Sequence, residues 1–335
     1  MSTLAARVSR ITRSIAFRAR SATSRAARSS ISYPSRSYAT HPSSSTQQPL
    51  GVARALQASA EASPSPTLFS HEFSLADRVA LVSGALGGLG LEATLALVEA
   101  GVRAVYCIDL PKQPSDEWVR VRDFAAKMEG KGGEGRMEYV SVDIRDQEAM
   151  WRAGETTASR EGRLDVCVAA AGVLGDPAGC LDLSAAAMKQ LMDPHANGAL
   201  FTAQAAGRQM QRLGSGGSIV LIASIAGYRA FRGHPITHYH VSKATVIQMA
   251  RSLACELAPE GIRVNSISPG FMQTKFLKPY LDARPEFVDD WGQMNPMGRI
   301  GRPHELRGAL VWLASDASSF CTGSDIVVDG GHRAW

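Results

Sequence analysis

From Val79 onward the chain alternates short, mainly apolar runs with longer stretches whose apolar residues recur at helical spacing. Few folds satisfy that pattern. Val79-Ala-Leu-Val-Ser83 is the first apolar run, and 88–100 is the first helical stretch. Further strand-like runs at 104–108, 137–142, 164–170, 218–222, 262–267 and 326–328 bring the strands to seven. Helical periodicity falls at 115–129, 146–160, 184–212, 237–258 and 303–314. A strand apolar at every position must be covered on both faces. The alternation therefore predicts an α/β fold, a parallel sheet with helices on each side and right-handed crossovers. With 45% hydrophobic residues over 335 positions, the chain has ample material for such a core. No stretch approaches the roughly 18–20 apolar residues of a membrane helix.

The net charge of +5 does not describe the folded body. Residues 1–40 hold eight Arg, no Lys and no acid, which leaves 28 basic residues against 31 acidic ones in the remainder. Ile11, Ile15 and Phe17 lie close to a helical stripe among these arginines, and the segment lacks the single apolar core of a secretory signal. This is the composition of a mitochondrial transit peptide over 1–38, with Arg36-Ser37-Tyr38-Ala39 resembling a matrix-processing site near Tyr38. A basic arm on nucleic acid and a disordered tail without an address are the competing readings. The absence of Lys and the slightly acidic body argue against nucleic acid. Residues 39–72 are rich in Ser, Pro, Gln and Ala with few charges, and are expected as a disordered linker. The folded domain is then 73–335. The five cysteines, 107, 167, 180, 255 and 321, have no CxxC spacing and read as reduced core thiols.

The first strand runs into Ser83-Gly84-Ala85-Leu86-Gly87-Gly88-Leu89-Gly90, which opens the first helix. A dinucleotide needs such a place: a tight turn, bare backbone facing a pyrophosphate, and a helix N-terminus offering free N–H groups. Gly84, Leu86, Gly88, Leu89 and Gly90 are accordingly candidate cofactor-binding positions. Asp109 ends the second strand 19 residues after Gly90, where a carboxylate accepts both ribose hydroxyls and repels a 2′-phosphate. It favours NAD(H), while nearby Lys112 keeps NADP open. Asp143, ending the third strand, is placed to meet an adenine amino group; a helix N-cap is its structural alternative.

Tyr239-His240-Val241-Ser242-Lys243 sets a phenol and an ammonium four residues apart, on one face of a helix. A phenol titrates near 10, so acid/base work at neutral pH requires lowering it by about three units, roughly 4 kcal/mol. The lysine and an oxidised nicotinamide are the expected sources. Ser224, at the end of the fifth strand, offers a hydroxyl to the substrate oxygen.

With these motifs in order, residues 75–335 resemble the short-chain dehydrogenase/reductases. The resemblance rests on the Gly84/Gly88/Gly90 loop, Asp143, Ala171-Gly172, Ser224, Tyr239 with Lys243, Pro269-Gly270 followed by Thr274, and Val328-Asp329-Gly330-Gly331. It implies a single Rossmann-type doubly wound domain with a seven-stranded parallel sheet. It implies Ser224 as stabiliser of the substrate oxygen, Tyr239 as acid/base and Lys243 as its partner. Ala171, Gly172, Pro269, Gly270 and Thr274 would complete the cofactor site, and 275–295 would form a lid. A homotetramer or homodimer pairing through the helices at 184–212 and 237–258 is implied as well.

Two positions depart from the family pattern. The usual Asn-Asn-Ala-Gly reads Ala169-Ala170-Ala171-Gly172, and the family's fourth catalytic residue, an asparagine, is His195 in Asp193-Pro194-His195-Ala196-Asn197-Gly198. In the family the backbone carbonyl of that residue holds a water leading to the lysine. His195 keeps the carbonyl and is a candidate relay residue, with Pro194 expected to bend the helix start. His234, His238 and His240 have a spacing that can suggest a metal, but no Cys or carboxylate joins them, and no metal is expected. The stretches after Ser224 and around Asn295-Pro296 resemble the sugar-alcohol branch of the family, with its fungal D-arabinitol, mannitol and xylulose enzymes, and imply a polyol/ketose pair. An enzyme of secondary metabolism acting on a ring ketone is one alternative. An NAD(H)-binding sensor or scaffold with weak catalysis is another.

Overall fold

The computed structural model describes residues 50–59, 62–128, 135–275, 277–283 and 285–335. The proposed transit segment 1–38 lies outside them. Seven strands, β1 Val79–Ser83, β2 Ala104–Asp109, β3 Arg136–Ser141, β4 Val166–Ala169, β5 Gly217–Ile222, β6 Ile262–Pro269 and β7 Asp325–Val328, form one sheet. Every pairing is parallel and the order is β3-β2-β1-β4-β5-β6-β7. The helices are α1 Gly51–Gln57, α2 Gly88–Glu99, α3 Asp116–Ala125, α4 Gln147–Glu161, α5 Ala185–Met192, α6 Ala199–Leu213, α7 Thr237–Leu257, α8 Lys278–Ala283, α9 Glu286–Gln293 and α10 Arg307–Ala314. This is the doubly wound Rossmann arrangement that the alternation and the resemblance implied.

Side chains leave a strand on alternate faces, and the buried residues sort accordingly. Val79 and Leu81 of β1 join Met150, Ala203, Met210 and Val246, from the helices α4, α6 and α7, in one core. Ala80 and Val82 join Leu97, Trp118, Leu310 and Leu313, from α2, α3 and α10, in the other. All five residues of β1 are buried, which is why its sequence shows no polar alternation. Helix α3 begins where Ser115 Oγ accepts the Trp118 N–H, and α4 where Asp146 does the same for Ala149. The N-cap of α4 is thus Asp146, and Asp143 is free of that duty.

Three expectations change. The helix foreseen over 184–212 is broken into α5 and α6 by a π-helical turn at Asp193–Gly198. Pro194 is the physical reason: it brings no N–H to the regular ladder, and the wider turn accommodates it. Within the expected disordered linker, residues 51–57 form α1, which buries no residue and whose Arg54 Nη1 donates to Ser65 O at 2.8 Å. Ala, Leu, Arg and Gln favour a helix without any packing partner. The five cysteines are free, but Cys180 and Cys255 are exposed rather than in the core. Among the described residues, no helix is long and apolar enough to cross a membrane.

Helices α4 and α6 approach each other through Gly154, where an added Cβ would press into the Ala205 carbonyl. Gly154→Ala should lower the urea midpoint, with a net loss of about 1–3 kcal/mol despite alanine's better helix propensity.

Candidate active site

Because all seven strands are parallel, their C-terminal ends open on one edge of the sheet, and a cavity of about 720 Å³ lies there. Strand order reverses between β1 and β4, the crevice where doubly wound sheets take ligands. Asp109, Asp143 and Arg145 line one end of the cavity, and Phe231, Phe271 and Trp291 the other. Fifteen of the sixteen residues singled out from the sequence line it. Leu86 does not: its N–H donates to Asp109 Oδ2 at 3.0 Å, so its role is to hold the loop.

The loop after β1 is shaped by backbone crowding. Gly84 has φ +71°, and a Cβ there would sit 2.6 Å from Ala171 Cα. A Cβ at Gly90 would run into the Gly84 carbonyl. Gly87 and Gly88 are different, since Gly87 has no atom within 4 Å of its Cβ position and Gly88 meets only Thr274, at 3.8 Å. The loop therefore offers a bare surface at the start of α2, and a pyrophosphate fits that surface and that helix N-terminus. Asp109 also accepts the Leu110 N–H at 2.8 Å, so one carboxylate fixes both sides of the adenosine end. Asp143 is gripped by Arg145, with contacts of 2.7–3.0 Å, and this hydrogen bonding holds its carboxyl below the usual range. Lys112, which kept NADP open, is absent from the cavity lining.

Ser224 and Tyr239 come from different elements and are joined by a packing device that the sequence reading missed. The turn Ile225–Gly227 follows Ser224 and lies against α7. A Cβ at Gly227 would fall 2.8 Å from the Lys243 carbonyl, so glycine alone permits that approach. Ser224 Oγ caps the turn by accepting the Ala226 N–H at 3.1 Å, and Ser224 and Tyr239 line the same cavity. Lys243 lies one turn further along α7, its Nζ 5.8 Å from the Tyr239 ring centre. That Nζ donates to Ile222 O at 3.1 Å, and burial lowers its pKa to about 8. Burial pushes the Tyr239 phenol up to about 12. Desolvation dominates at the phenol, so the lowering expected from the sequence is not present.

His195 is buried, and its ring rather than its carbonyl carries the visible connections. Nε2 accepts the Val173 N–H at 3.0 Å, which places the ring proton on Nδ1. Nδ1 then donates to Ser242 Oγ at 2.8 Å, and Ser242 donates to the Tyr239 carbonyl at 2.9 Å. The chain leaving β4 is thereby tied to the helix that carries the phenol. Gly172 leaves room for this, since a Cβ there would lie 2.7 Å from Nε2. Of the three clustered histidines, His238 is fully buried, whereas His234 and His240 pack edge-on against Phe231. Among the described residues, no three His, Cys, Asp or Glu are grouped to hold a metal. Arg145 and the aromatic residues at 231, 271 and 291 were not foreseen. Arg145 had a signal in its nearness to Asp143; Phe231 falls in the stretch after Ser224 and Trp291 within the lid expected over 275–295, but nothing in the sequence joined them to Phe271.

Burial, followed by the Lys243 charge, holds the His195 pKa down to about 2. An unfolded histidine titrates near 6.5, so protons favour the unfolded chain; the stability contribution is complete above that value and drains away as pH falls towards the folded one. Between pH 7 and pH 5 the native protein should lose roughly 2 kcal/mol from this group. Urea melts of His195→Asn should show a correspondingly flatter pH dependence, and an equal slope would remove the assignment.

Known proteins can be set beside this geometry. A family model described as enoyl-(acyl carrier protein) reductase matches residues 84–333. Sorbose reductase sou1 of Schizosaccharomyces pombe is 36% identical over 261 residues, covering 78% of this chain and 97% of that protein. The NADP-dependent mannitol dehydrogenase of Hypocrea jecorina is 34% identical over 264 residues, covering 78% and 94%. A short-chain type dehydrogenase/reductase from Mycobacterium marinum superposes with a TM-score of 0.71 at 35% identity, covering 80% of this chain and all of that one. Motif order, strand order and these likenesses agree: the chain belongs to the short-chain dehydrogenase/reductase family and is an NAD(P)-dependent dehydrogenase acting on CH–OH groups.

Proposed function

We propose that this protein interconverts a secondary alcohol and a ketone with NAD(H), using Tyr239 as acid/base, Ser224 to hold the substrate oxygen and Lys243 to assist the phenol. The observation that carries the reading is the joint placement of Ser224, Tyr239 and Lys243 on one cavity with the bare loop of Gly87 and Gly88. A bound nicotinamide supplies hydride acceptance or donation, and the chain does the rest. Ser224 Oγ and Tyr239 Oη, on one cavity, form a two-point seat for one oxygen atom. Burial keeps Tyr239 Oη protonated, which readies it to donate to a carbonyl oxygen. Taking a proton from an alcohol needs the phenolate, and positive charge near the ring stabilises that form. Lys243 is a cation of this chain on the same face of α7. Its lowered pKa leaves it charged at neutral pH.

The preference for NAD rests on Asp109, whose negative charge lies at the cavity end that would take the adenosine ribose. His195 acts as a brace between the β4 exit and α7; a proton route through its carbonyl stays part of the proposal. The names of the sorbose and mannitol relatives support a polyol/ketose pair. We carry forward two further readings, a mitochondrial leader over 1–38 and a homotetramer or homodimer pairing through α6 and α7.

Tyr239→Phe should reduce kcat by at least about a thousandfold while leaving NADH affinity, read by fluorescence titration, within a factor of about two. Undiminished turnover would remove the central role of the phenol. Asp109→Asn keeps an acceptor for the Leu86 N–H but discards the charge. It should shift the NAD/NADP ratio of kcat/KM towards NADP by about tenfold or more; an unmoved ratio would show that the carboxylate is structural only.

A further inference from the structure

The cavity wall opposite the adenosine end is aromatic. Phe231, Phe271 and Trp291 line it, with Val173, Leu174 and Met272 beside them. The two carboxylates that line the cavity among the described residues, Asp109 and Asp143, lie at the other end, on the β2 and β3 side of the sheet. Phe231 stands in the loop between Ser224 and Tyr239, and Phe271 follows directly on Gly270 at the end of β6. The wall thus shares its supporting segments with the reacting groups.

The rings of the wall pack against one another. Trp291 is sandwiched, stacked on Phe271 at 4.3 Å and 12° and on Phe287 at 5.2 Å and 14°. Phe231 leans on Phe271 at 5.1 Å. His332 meets both phenylalanines edge-on, at 5.9 and 5.4 Å, and its Nδ1 is held by Asn295 Oδ1 at 2.9 Å. That bond has a fixed direction, because Asn295 Nδ2 donates to Arg299 O. Rings held in this way present an unchanging apolar face and lose little freedom when a flat group lies against them.

An open-chain polyol carries a hydroxyl on every carbon, and each buried hydroxyl left without a partner costs about tenfold in affinity or more. Beyond Ser224 and Tyr239 the polar groups on this side are few. Gln190 is exposed at the rim, Lys275 is engaged by Glu117 at 2.5 Å, and His234 is packed among Phe231, Phe287 and Trp291. Resting on the alcohol/ketone reading above, we propose that the preferred substrate is a secondary alcohol or ketone borne on, or next to, an apolar ring that stacks against Phe231 and Phe271. The open-chain polyol/ketose pair, which the relatives' names support, is the competing outcome that the test separates.

The test compares ring and open-chain substrates on the purified full chain, with NAD and NADP in parallel. Oxidation of 1-phenylethanol and cyclohexanol is measured beside that of D-arabinitol, D-mannitol and D-sorbitol. The expected result is a kcat/KM for the better ring alcohol at least about tenfold above the best polyol. Phe231→Leu and Phe231→Ala should each lower that figure by about tenfold, mainly through KM, with NADH affinity unchanged by fluorescence titration. A polyol preferred over both ring alcohols overturns the inference and leaves the oxidoreductase reading standing. Ring turnover indifferent to both Phe231 variants overturns the stacking role. If neither set is turned over in either direction, and Tyr239→Phe matches the native protein, the parent reading fails and the inference with it.

Discussion

Between the turn after β1 and the chain leaving β4 there is no room for a side chain. Gly84 touches the backbone at Ala171, and Gly90 touches Gly84 in turn. This contact brings the two central strands of the sheet together at their C-terminal ends, where the strand order reverses. Everything else at the site is arranged around it. The start of α2 is held low enough to leave a bare surface, and Asp109 fastens the loop through Leu86. The backbone leaving β4 is left open on its other side, where His195 takes hold of Val173.

The same economy recurs on the far side of the cavity. The turn after Ser224 reaches α7 through Gly227, again without a Cβ, and this sets the serine and the phenol on one cavity. Two glycine contacts thus fix two different relations: strand to strand at the dinucleotide end, and the turn after Ser224 to α7 at the reacting end. The buried histidine links them. Its ring spans from the β4 exit to Ser242, so a shift of either would be felt by the other.

Much of this was legible in the sequence. The fully buried strands β1 and β4 declare themselves by unbroken apolar runs, and the mainly apolar runs elsewhere located the other strands. The glycine loop, Asp109, Asp143, Ser224, Tyr239 and Lys243 all arrive at one cavity because a parallel sheet brings every strand end to the same edge. What escaped depends on contacts between distant segments. Gly227 looks like an ordinary turn glycine until α7 is beside it. Phe231, Phe271 and Trp291 come from three segments with no common spacing. The ring bonds of His195 require the tertiary position of Val173 and Ser242, and only its chemical oddity was visible beforehand. The phenol's high pKa reflects burial depth, a quantity that spacing along a helix does not report.

The π turn around Pro194 has a wider effect than the break it makes. Such a turn holds one residue more than the α turn it replaces, and each helical residue advances the direction of projection by about 100°. Helix α5 is consequently phased differently from α6 than a continuous helix would be, and in that phase Leu191 is buried beneath Gly175 while Gln190 reaches the cavity rim. Removing that extra residue would turn α5 relative to α6. Leu191 would leave its buried place, and the rim and the histidine brace would lose theirs with it.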